Sequence, residues 1–205
     1  MSRHLIGALC LLSLCAAVPA FAQQSTDTCV PDCPASTWGS LEHRTVVLPN
    51  GCQINVDYFT RCACNTWNDI FLHSVTPDPA DSADCAFLAT TPMDQILAAV
   101  TEQLLNGSPF DFPAPCRDDL AVGQCATRWR IVKGSCWSRI HLSSTYEYYQ
   151  ACSQTACCLK PYKVCRNQCG RTSQPLPGTV FGGCSGAISP YPPPVGGACE
   201  PVCLE

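Results

Sequence analysis

Cysteine is the residue type with the widest chemical repertoire in this chain, occurring 19 times in 205 residues, and spacing tests what those thiols can do. Structural zinc calls for sets such as Cys-x2-Cys converging on four ligands. The close spacings here are Cys-x-Cys at Cys62 and Cys64, Cys-x3-Cys at three places, and the adjacent pair Cys157 and Cys158. Thioredoxin-type exchange also needs Cys-x2-Cys, which does not occur. No thiol sits in a setting that marks it as a nucleophile. Cross-linking is the use that remains.

Other reactive side chains are scattered. The histidines His43, His73 and His141 belong to no His-Glu-x-x-His helix. Ser185 within Gly183, Cys184, Ser185 and Gly186 lacks the spacing of a nucleophile elbow. Asp57, Asp69, Glu102 and Glu147 could pair as glycosidase acids only through the fold, since such pairs carry no local motif. Asp78, Asp81 and Asp84 are three apart, without the alternating ligands and turn glycine of a calcium loop, and read as a solvated loop. The densest aromatic stretch sets Trp129, Trp137, Tyr146 and Tyr148 as candidate contacts for a sugar or peptide, with core packing the plainer role for at least one face. No cofactor and no metal is expected.

The amino terminus explains the cysteines. Arg3 and His4 precede an apolar run from Leu5 to Val18, and Ala20, Phe21 and Ala22 form a cleavage site, so residues 1–22 read as a signal peptide with Gln23 as the mature start. That run is too short to span a membrane, which takes about 20 apolar residues, and no later segment comes closer. Cys10 and Cys15 fall in the leader after Leu9 and Leu14, which does not suit lipoprotein processing. Seventeen cysteines follow: Cys29, Cys33, Cys52, Cys62, Cys64, Cys85, Cys116, Cys125, Cys136, Cys152, Cys157, Cys158, Cys165, Cys169, Cys184, Cys199 and Cys203. An exported chain with that many thiols is expected to form disulfides in an oxidising compartment, secreted or at the cell surface. Seventeen is odd, so one thiol pairs with another molecule or stays free.

Without residues 1–22 the chain has 11 basic and 16 acidic residues, a net charge of −5, which gives no footing for nucleic acid or an anionic membrane. Residues 23–116 hold 11 acids against Arg44 and Arg61, whereas residues 117–171 hold 9 bases against 3 acids. Halves of opposite charge can pack on each other within one molecule or join copies head to tail.

Periodicity supplies the elements that would position these residues. Arg44 to Leu48 and Cys52 to Tyr58 read as a hairpin about Asn50-Gly51, with Cys52, Ile54, Val56 and Tyr58 on one face. Cys62 and Cys64 are too close on an extended chain to bridge each other. Trp67 to Val75 reads as a third strand, with Ile70 and Leu72 opposite Phe71 and His73. A helix is expected from Pro92 to Leu105, capped by Thr91, with an apolar stripe of Met93, Ile96, Leu97, Val100 and Leu104. Thr127 to Val132 and Trp137 to Leu142 read as a second hairpin about Lys133, Gly134 and Ser135. Thr145 to Cys152 and Pro161 to Cys165 are further strands. Cys157 and Cys158 are expected to take separate partners, because a bridge between neighbours distorts the peptide bond.

From Ser173 to Glu205 prolines and glycines crowd into the chain, including the run Pro192 to Pro194, and Cys184, Cys199 and Cys203 punctuate them. The expected organisation is a signal peptide (1–22), a disulfide-rich β domain with one helix (23–172) and a stapled Pro/Gly/Cys-rich tail (173–205). The fold class is mainly β (α+β): an antiparallel sheet with one packed helix, and an irregular tail. The role that fits is a secreted structural or adhesive protein that self-associates, as in a filament, or meets an extracellular surface partner. A monomeric module binding glycan or peptide is the alternative, and an unrecognised secreted hydrolase the third.

Overall fold

A computed structural model describes residues 33, 36–81, 83–106, 114–116, 120–141, 147–152, 156–182, 184 and 199–203. Residues 1–22, read above as a signal peptide, Cys29, Tyr146 and residues 185–198 of the tail lie outside the described residues. The first hairpin forms as its alternation requires: β1 (Glu42–Val47) and β2 (Gln53–Ala63) run antiparallel, and Gly51 takes a φ of 96° at the turn between them. Cys52, Ile54, Val56 and Tyr58 are all buried on one face. β3 (Trp67–Pro77) returns along β2 after a turn in which Cys64 and Asn65 both have positive φ.

Helix α1 (Met93–Asn106) buries Met93, Ile96, Leu97, Val100 and Leu104, the stripe read from the sequence. β4 (Cys125–Gly134) then lies parallel to β3, because the connection is a helix and not a tight turn. The sheet is therefore mixed where an antiparallel one was expected. β5 (Cys136–His141), β6 (Glu147–Ala151), β7 (Cys157–Asn167), β8 (Gly170–Pro175), β9 (Thr179–Phe181) and β10 (Glu200–Pro201) complete the order β10-β5-β6-β3-β4-β7-β8. β1 and β2 are added beside β3, and β9 beside β7. Residue 173, where the composition shifts, lies inside β8.

The expected second hairpin does not form. β4 pairs with β3 on one side and β7 on the other, so neither edge is open to Trp137–His141, which pair with β6. The chain turns a corner at Ser135, whose N–H donates to the carbonyl of Ala156, and the Trp137 indole donates to the carbonyl of Gly134 at 3.1 Å. β6 in turn pairs with β3 only at Ser74 and Val75, beyond the stretch that β4 occupies. One edge of β3 thus serves two strands in succession, and the sheet forks there.

The larger core lies between the sheet and α1 and includes Trp129, Trp137 and Tyr149; a smaller one on the opposite face joins Phe71, Val132 and Cys157 to Trp38, Phe59, Leu159 and Phe181. Beside the smaller core sits Asp69, 0% exposed, directly opposite Arg61 on β2 and Arg130 on β4. Arg61 Nε donates to its Oδ2 at 3.0 Å, and Arg130 donates to both oxygens at 2.6 and 2.9 Å. The Arg61 guanidinium also lies over Trp38, 4.5 Å from the ring centre, and the Arg130 guanidinium over Trp67, at 4.6 Å.

Seven disulfides are described: Cys33–Cys64, Cys52–Cys85, Cys62–Cys116, Cys125–Cys165, Cys136–Cys184, Cys152–Cys199 and Cys158–Cys203. Cys62 and Cys64 take different partners, as expected. So do Cys157 and Cys158, since Cys157 is disulfide-bonded and Cys158 is joined to Cys203. The tail cysteines Cys184, Cys199 and Cys203 all bond back to this chain's own strands or their ends.

Replacing Asp69 by Asn leaves two guanidinium groups without their buried carboxylate. Breaking a buried pair in this way costs roughly 3 to 5 kcal/mol. The expected result is a correspondingly lower guanidinium midpoint for Asp69→Asn under non-reducing conditions, while Lys163→Ala at an exposed position moves it by less than about 0.5 kcal/mol. Equal midpoints for the two variants would contradict the role given to Asp69.

Candidate functional site

A serine, an aspartate and a histidine do come together, across β1, β2 and β3. His43 Nδ1 lies 2.6 Å from Asp57 Oδ1, and the Ser74 hydroxyl donates to Asp57 Oδ2 at 2.6 Å. In a hydrolase the imidazole stands between the other two and takes the serine proton. Here the carboxylate stands in the middle, so the histidine has no path to the hydroxyl and the row is a cross-strand bridge. His73 stands edge-on to Phe59, and burial lowers its pKa while Asp57 opposes that. Asp69 is engaged by its two arginines.

The amino end of α1 is organised by the tail. Thr91, expected as the cap, instead donates its hydroxyl back to the carbonyl of Phe87. The Met93 N–H is met by Glu200 Oε2, at 3.4 Å. Glu200 Oε1 accepts from Arg139 Nε at 3.1 Å, and the same guanidinium donates to the carbonyls of Leu88 and Thr91. A carboxylate at a helix amino terminus is favoured by the peptide dipoles. Glu200 thereby joins β10, β5 and α1.

Beside this junction lies a cavity of about 180 Å3 between the first turns of α1 and strands β4 and β7, lined among others by Asp94, Lys133, Lys160, Tyr162, Gly178 and Val202. Strand register explains the lining. Trp129, Ile131 and Lys133 alternate onto the helix-facing side of β4, and Lys160 sits directly opposite Ile131 on β7. Gly178 lets the chain cross this edge closely, since a Cβ there would lie 2.9 Å from the carbonyl oxygen of Leu159. The chain has only three lysines, Lys133, Lys160 and Lys163, so two of the three line one cavity while Lys163 is exposed.

Burial pushes the Lys133 amine down to about 8, Lys160 pushes it the same way, and Asp94 opposes both. Burial and Glu102 push the Tyr162 hydroxyl up to about 12, which keeps it a neutral donor. A desolvated amine beside a second cation is the setting in which lysine becomes nucleophilic near neutral pH. Among the described residues Asp94 is the one carboxylate in the lining, so the cavity does not offer the paired acids of a glycosidase. A broader recess of about 340 Å3 at Leu120, Gln124, Cys125 and Arg128 brings a single charged side chain to it.

The aromatic candidates are placed elsewhere. Trp129 and Trp137 are 2% and 0% exposed inside the main core, where neither ring can meet a ligand. Tyr148 is half-buried on β6, and Tyr146 lies outside the described residues. Cys169, between β7 and β8, is a free and exposed cysteine. Lys133 is legible in the sequence as a charged residue in phase with Trp129 and Ile131 on a buried face, a signal that the turn-like composition of Lys133-Gly134-Ser135 obscures.

Lys133 makes stability depend on pH in a fixed direction. Its ordinary value of 10.5 applies to the unfolded chain and about 8 to the folded one, so between those limits the unfolded chain binds more protons and stability rises with pH. Below pH 8 the full cost applies, at most roughly 3 kcal/mol at about 1.36 kcal/mol per pH unit. Lys133→Met is expected to raise the denaturant midpoint at pH 7 and to lose that advantage progressively towards pH 9.5. An advantage that stays constant over that range would show that the amine is solvated. No protein-family model, curated protein or solved structure matches the chain.

Proposed function

We propose that this chain is a secreted, disulfide-stabilised structural or adhesive protein of a cell surface or extracellular matrix, whose copies associate. The observation that carries the reading is the cysteine framework: seven bridges closing sequence separations of 31 to 54 residues on a chain already long enough to bury two cores. Each such bridge contributes roughly 2 to 4 kcal/mol in isolation, and together they exceed what folding requires. Resistance to proteolysis and heat is a property of material that must persist outside a cell. Residues 1–22 supply the export signal in this reading.

Association is supported by the exposed Cys169 thiol and by the opposite charge of the two halves. It is supported too by the edge position of β1, which among the described residues pairs with β2 alone. A second reading, a monomeric extracellular binding module, is favoured by the lysine cavity.

Exported protein, isolated without reductant, separates the two. The structural reading expects a mass beginning at Gln23, species larger than the monomer on a non-reducing gel, and their loss in Cys169→Ser. A monodisperse monomer at every concentration, unaffected by Cys169→Ser, together with a hit on a glycan or peptide array, would replace it by the binding module.

A further inference from the structure

We propose that the cavity between α1, β4 and β7 is a covalent binding site for small oxo-carboxylates, in which the Lys133 amine condenses with the carbonyl carbon and the Lys160 ammonium pairs with the carboxylate. The proposal goes beyond a structural role and is independent of whether copies associate.

Size sets the first limit. About 180 Å3 is well below the roughly 300 to 1,000 Å3 of clefts for drug-sized ligands, so the occupant has few non-hydrogen atoms. Charge sets the second. Among the lining side chains two ammonium groups face one carboxylate, Asp94, and Tyr162 is neutral, with Glu102 acting on Tyr162 from outside the lining. The side chains that touch the cavity therefore carry an excess of one positive charge when both lysines are protonated. A monoanion balances it. Reactivity sets the third: an amine withdrawn from water and placed near a second cation spends part of its time unprotonated at neutral pH, which is the nucleophilic form.

The chemistry closes without a further reagent. The neutral amine nitrogen attacks the carbonyl carbon, a C–N bond forms, and the proton lost by nitrogen passes to the oxygen to give a carbinolamine. Loss of hydroxyl with the second nitrogen proton releases one water and leaves C=N, with no change in oxidation state. Protonation of the imine restores the cation that the bound carboxylate and Asp94 face. The buried Val202 gives the cavity an apolar wall that limits the water available to reverse the step.

The chain provides its own control, because Lys163 lies three residues from Lys160 on the same strand and is exposed. Exported protein is treated with pyruvate and sodium cyanoborohydride, which reduces the imine to a stable amine, and the modified lysines are located by peptide mass spectrometry. Lys133 is expected to carry at least about tenfold more label than Lys163, with a rate that rises as the pH passes through 8. Lys160→Met removes a cation that favours the neutral amine and so slows both labels, but it is expected to lower labelling of Lys133 by pyruvate at least about fivefold more than labelling by the neutral propanal. Label spread evenly over the three lysines, or none on Lys133, would overturn the site. Equal losses with pyruvate and propanal in Lys160→Met would overturn the assignment of the carboxylate. The wild-type labelling pattern needs no variant to fold, and unchanged mobility of Lys160→Met on a non-reducing gel controls for its disulfide framework.

Discussion

The carboxylate of Asp69 is the interaction on which the architecture turns. It is buried on the middle of three adjacent strands, and each neighbour sends an arginine to it. A lone charge in that position would cost several kcal/mol. With Arg61 and Arg130 in place it becomes a register pin, because sliding either neighbour by one residue would turn its arginine to the opposite face. That matters most between β3 and β4, where a parallel pairing with no tight turn has no local device to set its alignment. Once β4 is held against β3, helix α1 is confined to one side of the sheet, and Trp129 and Ile131 meet its apolar stripe.

The same pairing explains the fork. β4 takes the first half of the edge of β3, β7 takes the other edge of β4, and the chain leaving Gly134 must find its partner elsewhere. It does so by bending at Ser135 and building a second branch from β5, β6 and β10. Glu200 then reaches from the end of that branch to the amino terminus of α1, so the two branches and the helix are joined where the lysine cavity opens.

Much of this is readable from local pattern. β1, β2, β3 and α1 announce themselves through two-residue and helical periods, and a turn at Asn50-Gly51 needs no tertiary information. What escapes is non-local. Lys133-Gly134-Ser135 has the composition of a hairpin turn, and only the occupation of both edges of β4 rules that out. Thr91 is a sound cap by type, yet the carboxylate of Glu200, remote in sequence, does that work. Asp69 and Lys133 each stand in phase with large apolar residues, which is the mark of a buried charge, but the partners that make such burial tolerable come from other strands. The cysteine pairing follows the topology and could not have been drawn before it.

That pairing also fixes how far the molecule can be stretched. A covalent path runs from Cys33 across to Cys64, back to Cys62, across to Cys116, along to Cys125, across to Cys165, back to Cys158 and across to Cys203. Its only backbone segments are the short ones between Cys62 and Cys64, between Cys116 and Cys125 and between Cys158 and Cys165, although its ends, Cys33 and Cys203, are 170 residues apart in sequence. At roughly 3.5 Å per residue those segments extend to about 60 Å, bridges aside, against about 600 Å for the reduced chain between Cys33 and Cys203. Tension applied at the two ends is therefore carried by covalent bonds long before the strands could be drawn out, which makes the oxidised molecule a nearly inextensible link.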